Sequence, residues 1–159
     1  MKELKIQILN YRKIEKDLQN LGGVLYETKK IVDTYFKIKN ANSVLKIAEY
    51  NNETFFLEEL EKNQNGGFEI INEKKIEGLD KTNEIKAELK IKFGIKCILK
   101  AERHYFRFPQ FRVIINLIDN VGEFLILTGE NISEEMITKI LMIENPKFIR
   151  VPFSDLQQL

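Results

Sequence analysis

The order of apolar and polar residues is most informative between Leu99 and Thr128, LKAERHYFRFPQFRVIINLIDNVGEFLILT. It predicts three antiparallel strands: about Ile98 to Phe108 with a turn at Pro109-Gln110, about Phe111 to Ile118 with a turn at Asp119-Asn120, and about Glu123 to Thr128. Side chains alternate along a strand, so Phe111, Val113, Ile115 and Leu117 share a wholly apolar face that something must cover. Arg112, Ile114, Asn116 and Ile118 share the other face. Two polar groups among apolar neighbours imply an enclosed surface. A sheet covered outside, with Arg and Asn inside, predicts a barrel lined by polar groups.

The same alternation runs through the rest of the chain. Leu4, Ile6 and Ile8 alternate with Glu3, Lys5 and Gln7 in a first strand. Ile14, Leu18 and Leu21 recur at helical spacing from about Tyr11 to Leu21, and Gly22-Gly23 supplies a stop. Val24 to Glu27, Lys30 to Lys39, Val44 to Glu49, Thr54 to Leu60 and Phe68 to Ile76 read as strands. They are separated by turn signals that include Asn40–Ser43, Asn51-Asn52 and the hairpin loop NQNGG at residues 63–67. Asp80-Lys81-Thr82 opens a second helix, with Ile85, Leu89 and Phe93 on one stripe and Gly94 at its end. Ser133 caps a third, with Met136, Ile140 and Ile143 as its buried stripe and Pro146 as its stop. The tail, KFIRVPFSDLQQL, reads as a short strand and a final amphipathic turn. About eight strands are grouped rather than alternating with three helices, which predicts an α+β fold with largely antiparallel pairing.

Composition narrows the partners more than the fold. At 159 residues and 43% hydrophobic content the chain is expected to form one globular domain, 1–159. Lys+Arg 25 against Asp+Glu 24 leaves no overall field to draw nucleic acid or anionic membrane. Cys97 is the single cysteine, so no internal disulfide forms, which fits a reducing compartment. No apolar run has membrane-spanning length, and MKELKIQIL is not a signal-peptide pattern. The expectation is a cytoplasmic protein.

Most catalytic constellations are missing: there is no phosphate-binding glycine loop and no paired-cysteine metal site. His104 stands between Arg103 and Tyr105, which do not orient a base, and reads as a strand histidine in a polar setting. Cys97 reads as a small buried hydrophobe. Glu58-Glu59 read as solvated strand charges. The chemical signal is a set of charges on strand faces. Glu3 and Lys5 share one face, Arg103 and Arg107 another, Arg112 and Asn116 a third, and Lys46 lies on the charged side of its strand. Basic side chains converging in a barrel call for an anion or carboxylates to neutralise them, and polyphosphate suits Arg and Lys. The alternative is ordinary charge on a half-exposed sheet.

Several of these stretches together resemble the CYTH, or triphosphate tunnel metalloenzyme, superfamily, over essentially the whole chain. INLIDNVGEFLILT is similar to that family's aliphatic-Asp-x-Val-x-x-Leu-Gly-x-Phe-x-Glu-x-Glu, with Asn116 at the Asp position, Gly122 at the Gly and Phe124 at the Phe. Asp33-Thr34-Tyr35-Phe36 resembles Asp-x-Tyr-Phe, Val44-Leu45-Lys46-Ile47-Ala48 resembles Leu-Arg-Ile-Arg, and Pro152-Phe153-Ser154-Asp155-Leu156 resembles the closing Tyr-x-x-Leu-Leu turn. The departures are specific. The opening Glu-x-Glu-x-Lys keeps only Glu3 and Lys5. Ala48 replaces an Arg, Glu58 a Lys, Ile71 a Glu, and Ile126 and Thr128 the final Glu-x-Glu.

The resemblance implies an antiparallel eight-stranded β-barrel, a tunnel with helices packed outside. It also implies phosphate-binding roles for Lys5, Lys46, Arg103 and Arg112, and metal-binding roles for Glu3 and Glu69 should they converge on Mg or Mn. No catalytic residue is assigned. Three readings follow. One is a protein binding a nucleoside or inorganic triphosphate with metal-binding acids largely lost and catalysis weak or absent. Another is an active metal-dependent triphosphatase or class IV adenylate cyclase-like enzyme. The third is a non-enzymatic partner-binding scaffold, in which the lumen has filled with Ile71, Ile114 and Ile126. A homodimer is compatible with each.

Overall fold

The computed structural model describes residues 2–64 and 67–156. Its strands are β1 (Lys2–Gln7), β2 (Val24–Phe36), β3 (Ser43–Tyr50), β4 (Thr54–Lys62), β5 (Phe68–Ile76), β6 (Ile95–Arg107), β7 (Arg112–Ile118), β8 (Gly122–Gly129) and β9 (Lys147–Ile149). Its helices are α1 (Tyr11–Asn20), α2 (Leu79–Phe93), α3 (Glu135–Lys139) and α4 (Phe153–Leu156). All pairings are antiparallel, in the order β5-β4-β3-β2-β6-β7-β8-β1, and β1 returns to pair with β5. This is a closed eight-stranded antiparallel barrel, the expected architecture, with β9 added along the free part of β1.

Closure is narrow. Among the described residues β1 meets β5 through Lys2 opposite Glu69 and Glu3 opposite Phe68. Gly67 stands beside this seam. A Cβ there would lie 2.7 Å from the Glu3 carbonyl oxygen, so the strands meet because the residue has no side chain. Asn65 and Gly66 of the expected NQNGG hairpin lie outside the described residues.

Pleating sorts the sequence into three apolar sets. Leu4, Ile6, Ile8, Val113, Ile115, Leu125 and Leu127 point out of the barrel and are covered by Leu18 of α1 and by Ile137 and Leu141 in and after α3. Phe36, Ile47, Phe55 and Ile76 point outward beneath Ile85, Leu89 and Phe93 of α2. Tyr35, Leu60, Phe68, Leu99, Tyr105, Ile114, Phe124 and Ile126 point inward and meet Phe153 of α4. The wholly apolar face of β7 is thus the covered outer one. At about 25 cal/mol per Å², burying both faces of this wall is what stabilises the barrel against opening.

Some expectations are corrected. The segments before and after residues 28–29 form one continuous strand, β2. Its register slips between Leu25 and Glu27, leaving Tyr26 as the extra residue of a β-bulge. In the third helix Ile140 faces solvent, whereas Ile137 and Leu141 are buried, because the helix lasts only five residues and its stripe starts one position later. Of the three residues expected to fill the lumen, Ile114 and Ile126 do point into it and are buried, whereas Ile71 does not. It is the unpaired residue of a register shift between β4 and β5 and is half exposed. No helix among the described residues is long and apolar enough to cross a membrane.

Candidate functional site in the barrel lumen

Ladder registers decide which polar side chains share the lumen. Glu3 stands opposite Thr128, Thr128 opposite Arg112, and Lys5 opposite Ile126. Arg103 stands opposite Asn116 and Lys46 opposite Glu58, while Asp33 lies one strand from each of these rows. The four expected phosphate-binding residues, Lys5, Lys46, Arg103 and Arg112, therefore lie on inward faces of β1, β3, β6 and β7. Lys5, Lys46 and Arg103 are 6–8% exposed, far too buried for ordinary surface charges.

Each cation has an internal partner. Lys46 Nζ donates to Asp33 Oδ2 at 3.2 Å and lies 3.7 Å from Glu58 Oε1. Arg103 lies 3.7 Å from Asp33 Oδ2 and its Nε donates to Asn116 Oδ1 at 3.3 Å. Arg112 donates to the Tyr26 hydroxyl at 3.4 Å. Burial opposes the charge of Lys46 and Arg103, but Asp33, together with Tyr35 and Glu58 around Lys46 and with Tyr105, Tyr50 and Glu3 around Arg103, outweighs it, and both are held above their ordinary values. Burial pushes Glu58 up to about 7, with Lys46 pulling the other way and Asp33 and Glu73 adding to the rise. The expectation that Glu58 is a solvated strand charge is therefore overturned: it is 4% exposed, facing Lys46 across the ladder. The Oδ1 atom of Asp33 is buried without a hydrogen-bond partner, an acceptor that a lumenal water or an occupant's hydroxyl would satisfy.

Lys5 has a different setting. Its Nζ donates to the Val151 carbonyl at 2.8 Å and sits 4.6 and 4.4 Å from the ring centroids of Phe68 and Phe153. Burial lowers its pKa to about 7, with Glu3 offsetting part of the shift. The segment carrying Val151 and Phe153 closes this end of the barrel. It is held by β9 on β1, by Lys96 pairing with Asp155, and by the Arg150 guanidinium on both Glu134 oxygens at 2.9 and 3.0 Å. A cavity of about 390 Å³ beside it is lined by Tyr35, Lys96, Ser154 and Asp155 among others.

The two residues expected to hold metal are not brought together. Glu3 faces the lumen opposite Phe68, whereas Glu69 is the next residue along β5, opposite Lys2 and Glu61, and so faces outward. Among the described residues no group of three or more His, Cys, Asp or Glu side chains is placed to hold a metal ion. Of the lumen-facing carboxylates, Asp33 and Glu58 are spanned by the Lys46 ammonium, Glu73 hydrogen-bonds Glu58, and Glu3 stands apart on β1, so these acids do not present the cluster of open oxygen ligands that Mg²⁺ or Mn²⁺ requires. His104 lies on the outer face, between Glu15 and Glu102 Oε2 at 3.0 Å. Burial alone would lower its pKa; the hydrogen bonds to Glu102 and Glu15 outweigh it and raise it. Sequence reasoning missed Asp33 and Glu58 as the counter-charges, although Asp33 was visible at the head of Asp-Thr-Tyr-Phe.

No family model matches the chain. No curated protein matches it either. Solved structures do. A Pyrococcus horikoshii OT3 protein, PH1012, is similar with a TM-score of 0.83 at 17% identity, over 98% of this chain and 99% of that one. A proposed adenylate cyclase of Vibrio parahaemolyticus has a TM-score of 0.61 at 14% identity, over 88% and 81% of the two chains. HpAC1 of Hippeastrum, a proposed adenylyl cyclase with a dominant triphosphatase activity, has a TM-score of 0.60 at 14% identity, over 89% and 85%. The chain shares with these solved structures the architecture expected from its sequence, a closed eight-stranded antiparallel barrel.

Proposed function

We propose that the protein binds a triphosphate or a related polyanion inside the barrel, with catalysis weak or absent. The observation that carries this reading is the convergence of Lys5, Lys46, Arg103 and Arg112 from four strands on one lumen, three of them buried. Lys46 and Arg103 are held in their charged forms, while burial brings the Lys5 pKa to about 7 with Glu3 beside it and draws Glu58 towards its neutral form. A multivalent anion would meet guanidinium and ammonium donors in a dry setting, where charge-assisted hydrogen bonds are strong, and would hold Lys5 in its charged form. The similar folds of a proposed adenylate cyclase and of a protein with triphosphatase activity support the ligand class. The arrangement of the carboxylates supports weak catalysis: Glu3 and Glu69 face opposite sides of the wall, and Asp33 and Glu58 are engaged by Lys46.

Calorimetric titration with inorganic tripolyphosphate and ATP, each with and without Mn²⁺, tests the reading. Saturable binding that does not require Mn²⁺ and weakens at least about tenfold in Arg103→Gln is expected. Absence of binding by both compounds under both conditions would overturn it.

A further inference from the structure

The seam between β1 and β5 is finished differently on its two sides. The strands overlap through two residue pairs, and beyond that overlap each has a free edge. On β1 the edge is taken by β9, which pairs with Lys5, Ile6 and Gln7. On β5 it runs from Ile70 to Ile76, and among the described residues nothing pairs with it. Ile71, Asn72, Glu73, Lys74 and Lys75 are all exposed, whichever face of the strand they take. A strand inside a barrel wall hides its faces alternately, so this stretch stands clear of its own barrel. Its backbone is directed as well. The Lys62 N–H bonds the Asn42 carbonyl, so the even-numbered residues of β4 turn towards β3 and the odd-numbered ones towards β5. Glu59, Leu57 and Phe55 lie opposite Asn72, Lys74 and Ile76, which leaves the N–H and C=O groups of Glu73 and Lys75 aimed at the open edge.

Bulges and lysines protect many such edges from association. Here the bulged residue, Ile71, lies at one end of the free stretch, and the charges beyond it have both signs. Their spacing fits a second copy of the same strand. Antiparallel pairing about a two-fold axis at Lys74 sets Glu73 opposite Lys75 of the second copy, and Lys75 opposite its Glu73. Each pair exchanges two backbone hydrogen bonds and places opposite charges across the ladder. Glu73 also hydrogen-bonds Glu58, whereas Lys75 forms no ion pair among the described residues. Shifting the axis to Glu73 sets that glutamate against itself, and shifting it to Lys75 sets Glu73 against Glu77. We propose that the chain dimerises through this edge, β5 against β5 about a two-fold axis at Lys74, so that one ladder joins two barrels. The proposal is independent of what the lumen holds.

Sedimentation equilibrium of the full chain across a dilution series tests it, with a monomer–dimer equilibrium expected. Lys75→Glu sets glutamate against glutamate at both symmetric positions and should raise the dissociation constant on the order of tenfold. Glu73→Lys combined with Lys75→Glu exchanges the charges and should restore it. Lys74 meets its own copy at the axis, so Lys74→Thr should tighten the dimer. Lys74→Cys should cross-link to itself under mild oxidation well ahead of Lys90→Cys on the exposed side of α2. A chain that stays monomeric at every concentration overturns the proposal; an edge reserved for an extended segment of another protein would give that result. A dimer that Lys75→Glu leaves unweakened, or that the double change fails to restore, puts the interface elsewhere and overturns it too.

Discussion

Asp33→Asn tests the charge arrangement of the lumen most directly. Asp33 Oδ2 is shared by Lys46 at 3.2 Å and Arg103 at 3.7 Å, and all three side chains are at most 10% exposed. Asparagine keeps the shape and one acceptor but removes the charge, so two buried cations lose their common counter-ion. Breaking a buried pair from one side costs about 3–5 kcal/mol. Glu58 still stands 3.7 Å from Lys46 and Asn116 still accepts from Arg103, which places the loss near the lower end, about 3 kcal/mol. For a chain of this length that corresponds to a melting temperature lower by roughly 6–12 °C. The same change leaves the lumen one unit more positive. Tripolyphosphate should therefore bind Asp33→Asn at least about tenfold more tightly than it binds the unaltered protein. At 100 times its dissociation constant it returns about 2.7 kcal/mol, most of what the substitution removed. Urea unfolding and calorimetry, each with and without tripolyphosphate, read both effects. A melting temperature within about 2 °C of the unaltered protein, or a variant that binds tripolyphosphate less well, would refute the argument that Asp33 neutralises cations available to an anion.

Other perturbations probe separate parts of the molecule. The unfolded chain protonates Lys5 below about 10.5 but the folded one only below about 7, so this group makes stability rise with pH between those values. Lys5→Met should abolish that rise and be more stable by about 1–3 kcal/mol near neutrality; urea midpoints that climb identically in both proteins would contradict it. An anion bound beside Lys5 raises its pKa again, so titrations at pH 7.5 in two buffers of different ionisation enthalpy should show proton uptake. His104 behaves oppositely. Its pKa is raised in the folded state, so its contribution is complete below about 6.5 and is lost as pH rises through the folded value. His104→Gln should remove this loss, seen as urea midpoints that no longer fall across that window. Gly67→Ala places a methyl group 2.7 Å from the Glu3 carbonyl, costs about 1–3 kcal/mol, and should speed amide exchange at Phe68 and Glu69 more than at β7. Uniform protection throughout the barrel would contradict it.

Much of this architecture can be read from alternation alone. Arg112, Ile114, Asn116 and Ile118 announce an enclosed face because polar and β-branched residues take turns there, and the ladders place that face in the lumen. What alternation cannot give is pairing across strands distant in sequence. Asp33, Lys46, Glu58 and Arg103 meet only because β2 lies between β3 and β6, a neighbourhood fixed by the closed sheet. Glu69 misled for a related reason. A resemblance in spacing does not say on which side of a strand a residue falls, and one position of offset turns it outward. Tyr26 escaped notice because a bulge breaks the period that sequence reading relies on.

The first strand is hemmed in by three others, β8, β5 and β9, two of which come from the far end of the chain. β1 is synthesised before its principal neighbour, β8, and six strands lie between them in the chain. The ring can be completed only after β8 has been made. Before then Leu4, Ile6 and Ile8 form an adhesive edge awaiting its mate, so non-local contacts set the pace of maturation.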